Sequence, residues 1–397
     1  MQQPLVVPLL LLSAGLAGAS SALSSVRLCG LFPRFRTAAQ DFKADDSGTR
    51  RFAAFVQAIR EVNNKTDGIA DHLLPTTEVL FTQRDSRRDG ATAFFEAREL
   101  ATSAFKGQGC DAIVGAASSG PSALAALALK ESSTPQVSYS STSAGLSDGS
   151  TYPYFARTVP SDDFQATGLA DLVHSLFGYK RIATVASTDA YGASGMLAFK
   201  RRASALGIVT LASVSITGGA NDESDFSEQT EALRASGATV IVIFAGGYDA
   251  SLFIEKAYDA GVGGPGFLWL GSDAVSQAST MARIEDPTGF FGLTPSASTD
   301  SPIFRRYNRS RSAMPSTAGD GAGNCDLEID DDGVQMWAAD NDGSARDAGR
   351  VPSARNASTP LVCSGSDNQQ LDIYAMYSYD ATFALAHALH RLVEHAR

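Results

Sequence analysis

Ala112-Ile113-Val114-Gly115, followed at once by Ala116-Ala117-Ser118-Ser119-Gly120-Pro121-Ser122, reads as a short apolar strand, a small-residue turn and the start of a helix. Ile and Val favour extended backbone, and Pro121 suits the first helical turn, where its missing N–H is no loss. The helix continues over Ser122–Lys130, and a second strand, Gln136–Ser140, follows. A strand, a crossover helix and another strand form the unit of a parallel sheet.

The alternation extends outward both ways. Before it lie strand Val26–Phe32, helix Arg51–Val62 with Phe52, Phe55, Val56, Ile59 and Val62 at helical spacing, strand Glu78–Phe81 and helix Ala91–Phe105. After Pro160 come helix Asp163–Phe177, strand Arg181–Ala186, helix Gly192–Leu206 and strand Val209–Ile216. Helix Asp225–Ser236, strand Val240–Phe244, helix Tyr248–Ala260 and strand Phe267–Leu270 continue the pattern, with a short strand near Phe290–Leu293. The last element is helix Asp380–His395. The expected fold is α/β: two doubly wound parallel-sheet lobes joined by a hinge near Thr158–Pro160. The first lobe takes residues 26–159 and the second 160–288; residues 289–397 return to the first, with a variable polar loop over 296–368.

Composition narrows the function. The 397 residues carry 32 Lys+Arg against 43 Asp+Glu, a net charge of −11, which lacks the basic field that nucleic acid requires. Four cysteines are too few for a disulfide scaffold, and five histidines leave little scope for a metal centre; no metal or cofactor is expected. A small polar ligand fits.

Residues 1–19 read as a signal peptide: Leu5–Leu12 is apolar apart from Pro8, and Ala17-Gly18-Ala19 offers a cleavage site. A short N-terminal anchor is the rival, but the run falls short of the ~20 residues a bilayer span needs. Sequons at Asn64, Asn308 and Asn356 lie in polar surroundings suited to surface loops. Cys325 and Cys363 flank a polar stretch that a disulfide would close. Cys29 and Cys110 either pair or remain two buried thiols.

The candidate site lies at strand ends. Ser119, in the turn after Ala112–Gly115, offers a hydroxyl and free amides to an anion, or simply belongs to a helix cap. Ser140-Ser141-Thr142-Ser143 ends the next strand in the same way. In the second lobe Asp162 opens a helix after Pro160, Asp273 follows strand Phe267–Leu270, and Tyr191 follows Arg181–Ala186. Asp162 alone reads as a helix cap and Asp273 alone as a loop acid, while Tyr191 could cover a ligand by apolar and cation–π contact. Together, carboxylate donors on one lobe and ammonium acceptors on the other describe a free α-amino acid.

Five stretches carry a family likeness: Pro135–Ser143, Leu146-Ser147-Asp148, Tyr154–Arg157 with Val159–Asp162, Tyr191–Gly195 and Gly271-Ser272-Asp273; Ala384–Leu389 adds to them. With these the chain resembles the Venus-flytrap ligand-binding domain of class C G-protein-coupled receptors, most like metabotropic glutamate receptors. The resemblance implies that Ser119 and Thr142 bind the ligand carboxylate. Thr142, the Ser140 backbone, Asp162 and Asp273 would take the ammonium, while Tyr191 packs over the ligand. It places Arg51 where a ligand side-chain carboxylate is met, and Tyr374, just before the last helix, where the family has a lysine. That substitution leaves α-amino-acid recognition intact and puts glutamate preference in doubt. The resemblance also matches a Cys325–Cys363 bridge, a homodimer through the first lobe, and a G protein reached only through a membrane domain that this sequence lacks. The second lobe's last strands are likewise expected to be missing. The expected location is the secretory pathway, at the extracellular face of the plasma membrane within a full receptor, and otherwise secreted.

The rival classes are weaker. The G-x-S-x-G elbow of a serine hydrolase is absent, and no enzyme is expected. Gly261–Gly266 precedes a strand, the wrong context for a phosphate loop. Glu328–Gly333 starts like a calcium loop but has Ala339 where the bidentate Glu belongs. His387, His390 and His395 share a helix end. A soluble secreted or periplasmic-type amino-acid carrier shares the cleft logic and is the alternative.

Overall fold

Parallel pairing gathers the strands into two separate five-stranded sheets. The structure, a computed structural model, describes residues 23–34, 46–102, 109–277, 284, 288–296, 298, 300–312, 325–326, 362–363 and 372–395. The first sheet holds β1 (Ser25–Phe32), β2 (Glu78–Asp85), β3 (Ala112–Gly115), β4 (Gln136–Ser138) and β5 (Phe155–Arg157) in the order β2-β1-β3-β4-β5. The second holds β6 (Arg181–Ser187), β7 (Val209–Ile216), β8 (Val240–Phe244), β9 (Leu268–Gly271) and β10 (Phe290–Gly292) in the order β10-β9-β8-β6-β7.

Helices cover both faces of each sheet, which is why the central strands are apolar on both sides. In β1, Val26 and Leu28 pack with α1 (Asp46–Asn63) and with the last helix, Ile373–His395. Their neighbours Cys29 and Leu31 point the other way, against α2 (Gly90–Thr102) and α3 (Ser119–Lys130). In β8, Ile241 and Ile243 face a core shared with α7 (Gly247–Asp259), while Val240, Val242 and Phe244 meet α4 (Asp162–Asp171) and α5 (Ala190–Ala205). Each such side chain, fully buried, contributes about 1.5–3 kcal/mol. Among the described residues, further α-helices are α6 (Ser227–Ser236), α8 (Pro302–Ser312) and, as α9, the last helix.

Several expected boundaries move. The strand Phe290–Gly292 pairs with β9, so the first-lobe return expected at residue 289 begins after it; Tyr307 of α8 is back in the first-lobe core. The last helix starts at Ile373 rather than Asp380, and α8 occupies part of the expected polar loop. Asn308 therefore lies in a helix, not a loop. Asn64 is in the turn after α1, its side chain accepting from Thr66 N (3.1 Å) and Oγ1 (2.9 Å). Asn356 and the expected signal peptide lie outside the described residues.

Cys29 and Cys110 form a disulfide, Cα–Cα 5.8 Å, tying β1 to the residues that lead into β3. Two short strands, β11 (Cys325–Asp326) and β12 (Val362–Cys363), pair antiparallel with Cys325 opposite Cys363. Among the described residues no helix is long and apolar enough to cross a membrane.

Candidate functional site

The ends of β3 and β4 are stitched together by hydroxyls. Ser138 Oγ and Ser122 Oγ donate to Ala116 O at 2.7 and 3.1 Å, and Ser140 Oγ donates to Ala117 O at 2.6 Å. The Ser140 hydroxyl is thus engaged within the wall. Ser119 is the first residue of α3, and its Oγ accepts from Ser143 N (3.1 Å). Arg157, at the end of β5, donates to the carbonyls of Ser141 (3.3 Å) and Ser143 (2.6 Å) and to Ser147 Oγ. This fixes the loop that carries Thr142.

From Arg157 the chain crosses to α4, whose N-cap is Ser161; Asp162, expected to open the helix, is its first residue. Asp162 N donates to Thr142 O (2.8 Å), so a first-lobe strand end and a second-lobe helix start are bonded directly. Three residues on, Gln165 shares its helix face. Its amide donates to Oδ1 of Asp162 and to Oδ1 of Asp273 (2.9 Å), and its Oε1 accepts from Asp273 N (2.9 Å).

Tyr191 sits in the first turn of α5, where Asp189 caps the helix by accepting from Tyr191 N and Gly192 N, both 2.9 Å. A Cβ on Gly192 would lie 2.2 Å from Ser187 Oγ, so glycine alone lets α5 approach β6 this closely. The Tyr191 hydroxyl donates to Asp273 Oδ1 and lies 2.8 Å from Ser272 Oγ. From the first lobe, the Tyr374 hydroxyl donates to Asp273 Oδ2.

Asp162 is fully buried, and its Oδ2 has no hydrogen-bond partner. Burial, then the neighbouring Asp273 charge, pushes its pKa up to about 7, opposed by Gln165, Thr142 and Arg157. Burial and the adjacent Asp273 also hold the Tyr191 and Tyr374 hydroxyls well above their usual range, so both remain donors. The Gln165 amide thus bridges two buried acids, and both phenols donate to Asp273. The cluster is short of positive charge, and a small cation with several N–H donors would satisfy it.

Arg51 is buried on α1. Its Nε lies 3.3 Å from Asp372 Oδ2, and its guanidinium sits 4.8 Å from the centre of the Tyr374 ring. Asp372 Oδ1 in turn accepts from Tyr374 N (2.9 Å), capping α9. Tyr374, expected before the last helix, therefore lies in its first turn.

Asp162, Asp273, Tyr191 and Tyr374 meet in one network; Thr142 joins through its carbonyl, Ser119 through Ser143, and Arg51 through the Tyr374 ring. The sequence reading missed Gln165 and Asp372. Helical spacing from Asp162 was the available signal for the first; the second lay between the expected polar loop, ending at 368, and the helix expected from Asp380. His387 and His390 gather around His72, ring centres 6.1 and 6.4 Å away. Among the described residues no group of three or more His, Cys, Asp or Glu is arranged to hold a metal ion.

A model of the family described as "Receptor family ligand binding region" matches residues 50–396. Metabotropic glutamate receptor 6 of Oryctolagus cuniculus is 30% identical over 292 residues, covering 71% of this chain and 31% of that one. Metabotropic glutamate receptor 4 of Mus musculus is 36% identical over 176 residues, 44% of this chain and 19% of that one. The extracellular calcium-sensing receptor of Mus musculus is 30% identical over 285 residues, 65% of this chain and 26% of that one. The chain spans a third or less of the length of these relatives.

Proposed function

The chain belongs to the family of receptor ligand-binding regions, with relatives among class C G-protein-coupled receptors, and on that premise we propose that it senses a free α-amino acid by closing two lobes over it. The observation that carries this reading is the pair Asp162 and Asp273, buried together without a cation in their hydrogen-bonded network. The ligand ammonium supplies that charge from between the lobes. Its carboxylate takes the hydroxyls and amides at Ser119 and Thr142, while Thr142 and the Ser140 backbone share the ammonium and Tyr191 covers the ligand. Closure follows because the ammonium contacts Asp162 and Asp273 fully only when the lobes are shut; a ligand that bound both states equally would shift nothing.

One relative is named for glutamate and another for calcium, so names alone do not choose the ligand. The proposed setting is extracellular, after removal of residues 1–19, with sugars at Asn64, Asn308 and Asn356 and a Cys325–Cys363 bridge. The proposed partner is a second copy, docked through α2 and α3, which pack side by side and expose Phe95 (62%), Leu124 and Leu127. G-protein coupling belongs to a membrane domain outside this sequence.

Isothermal titration calorimetry against a panel of free amino acids tests the reading. Expected is binding that weakens about tenfold or more in Asp273→Asn and in Thr142→Ala, each of which loses a hydrogen bond to a charged group. Unchanged affinity in both variants removes the site assignment. Absence of binding by folded protein removes the amino-acid reading.

A further inference from the structure

We propose that Asp372 sets the ligand class: it neutralises Arg51 from within the chain and so reserves the cleft for α-amino acids with uncharged side chains. This rests on the amino-acid reading above.

Arg51 and Asp273 meet the two ends of one side chain. The guanidinium lies against the Tyr374 ring, and the phenol of that residue reaches Asp273. Arg51 therefore sits on the first-lobe side, one tyrosine ring away from the carboxylates that would hold the ammonium. A buried guanidinium in such a place is a natural partner for an anionic ligand group, because its planar fork matches a carboxylate.

That capacity is already used. Asp372 Oδ2 lies 3.3 Å from Arg51 Nε and 3.7 Å from Arg50 Nε. Its other oxygen is tied to Tyr374 N, so the carboxylate is held by the start of α9. The side chains of Arg51 and Asp372 are only 5% and 11% exposed, so water and salt screen the pair weakly. An acidic ligand side chain reaching Arg51 must break the pair and leave Asp372 without its buried cation, or place a second carboxylate beside the first. Asp162 and Asp273 add to the negative charge it would meet. An uncharged side chain meets a neutral ion pair and the face of Tyr374.

The test compares L-glutamine with L-glutamate, nearly identical in shape, by calorimetry on the full chain. The wild type is expected to bind glutamine about tenfold or more tightly than glutamate. Asp372→Asn keeps a cap acceptor for Tyr374 N while removing the charge, and is expected to raise glutamate affinity about tenfold relative to glutamine. The double variant Arg51→Gln/Asp372→Asn is expected to lose that gain, which assigns it to Arg51 rather than to a general change of field. Wild-type glutamate affinity equal to or above that for glutamine overturns the inference alone. So does an unchanged ratio in Asp372→Asn, or a gain that survives in the double variant. Failure of every amino acid to bind overturns the amino-acid reading itself, and this inference with it.

Discussion

The phenol of Tyr374 donates to Oδ2 of Asp273, so the last helix of the first lobe is hydrogen-bonded to the loop after β9 in the second. Ser143 Oγ and Ser194 Oγ, 2.8 Å apart, make another link between the lobes. A hydrogen bond to a charged group is worth about 1.5–3 kcal/mol, enough to bias an open–closed equilibrium roughly ten- to a hundredfold. Tyr374→Phe should therefore open the ligand-free protein, seen as a larger radius of gyration in small-angle X-ray scattering that ligand reverses. An unchanged radius would show that the phenol does not hold the lobes together.

Burial of Asp162 makes stability depend on pH. Its folded pKa, about 7, stands above the unfolded value of 3.8, so the folded state holds the extra proton between them. Its contribution is most favourable below about pH 4, declines as pH rises towards 7 and is flat above. Asp162→Asn removes this slope. Melting curves at pH 5 and pH 8 should show the variant gaining on the wild type at the higher pH; an equal difference at both would mean that Asp162 ionises normally.

Ligand binding should release a proton near neutral pH. An ammonium placed beside Asp162 favours its charged form and pulls its pKa back down. Calorimetry at pH 6.5 in buffers of different ionisation enthalpy should reveal that release in the wild type and not in a ligand-binding Asp162→Asn variant. A heat independent of buffer would put the ammonium elsewhere.

The Cys29–Cys110 bridge closes a separation of 81 residues through the first-lobe core. Its loss, as Cys29→Ala/Cys110→Ala, should cost about 2–5 kcal/mol, read as a lower denaturant midpoint. A midpoint equal to the wild type would mean that packing of β1 against β3 suffices.

Phe95 and Leu127 form part of an apolar surface on paired helices. Phe95→Asp and Leu127→Asp should shift sedimentation of the protein from the proposed dimer to monomer while leaving ligand affinity within about twofold. A monomeric wild type would remove the proposed interface.

The sheet rhythm was legible where strands are continuous apolar runs bounded by small residues, as in Ala112–Gly115 and Val240–Phe244. The strand Phe155–Arg157 was not: its three residues mix an aromatic, an alanine and an arginine whose head group turns back to the preceding loop. The start of α9 was hidden for a different reason. Tyr374, Tyr377 and Tyr379 are modest helix formers, and tertiary packing against α1 holds them. Asp273 and Tyr191 stood out after expected strands, and Asp162 at an expected helix start. The ion pair Arg51–Asp372 joins residues 321 apart in sequence, and local pattern carries no trace of such a partnership.

The bond from Asp162 N to Thr142 O lies where the chain crosses between lobes, beside the Arg157 clamp. A ligand held there works close to the fulcrum. On so short an arm, a shift of a fraction of an ångström is multiplied at the far rims of both lobes. In the proposed closure, work done by a few hydrogen bonds on a single small molecule would become travel at distant surfaces, where the proposed second copy would feel it.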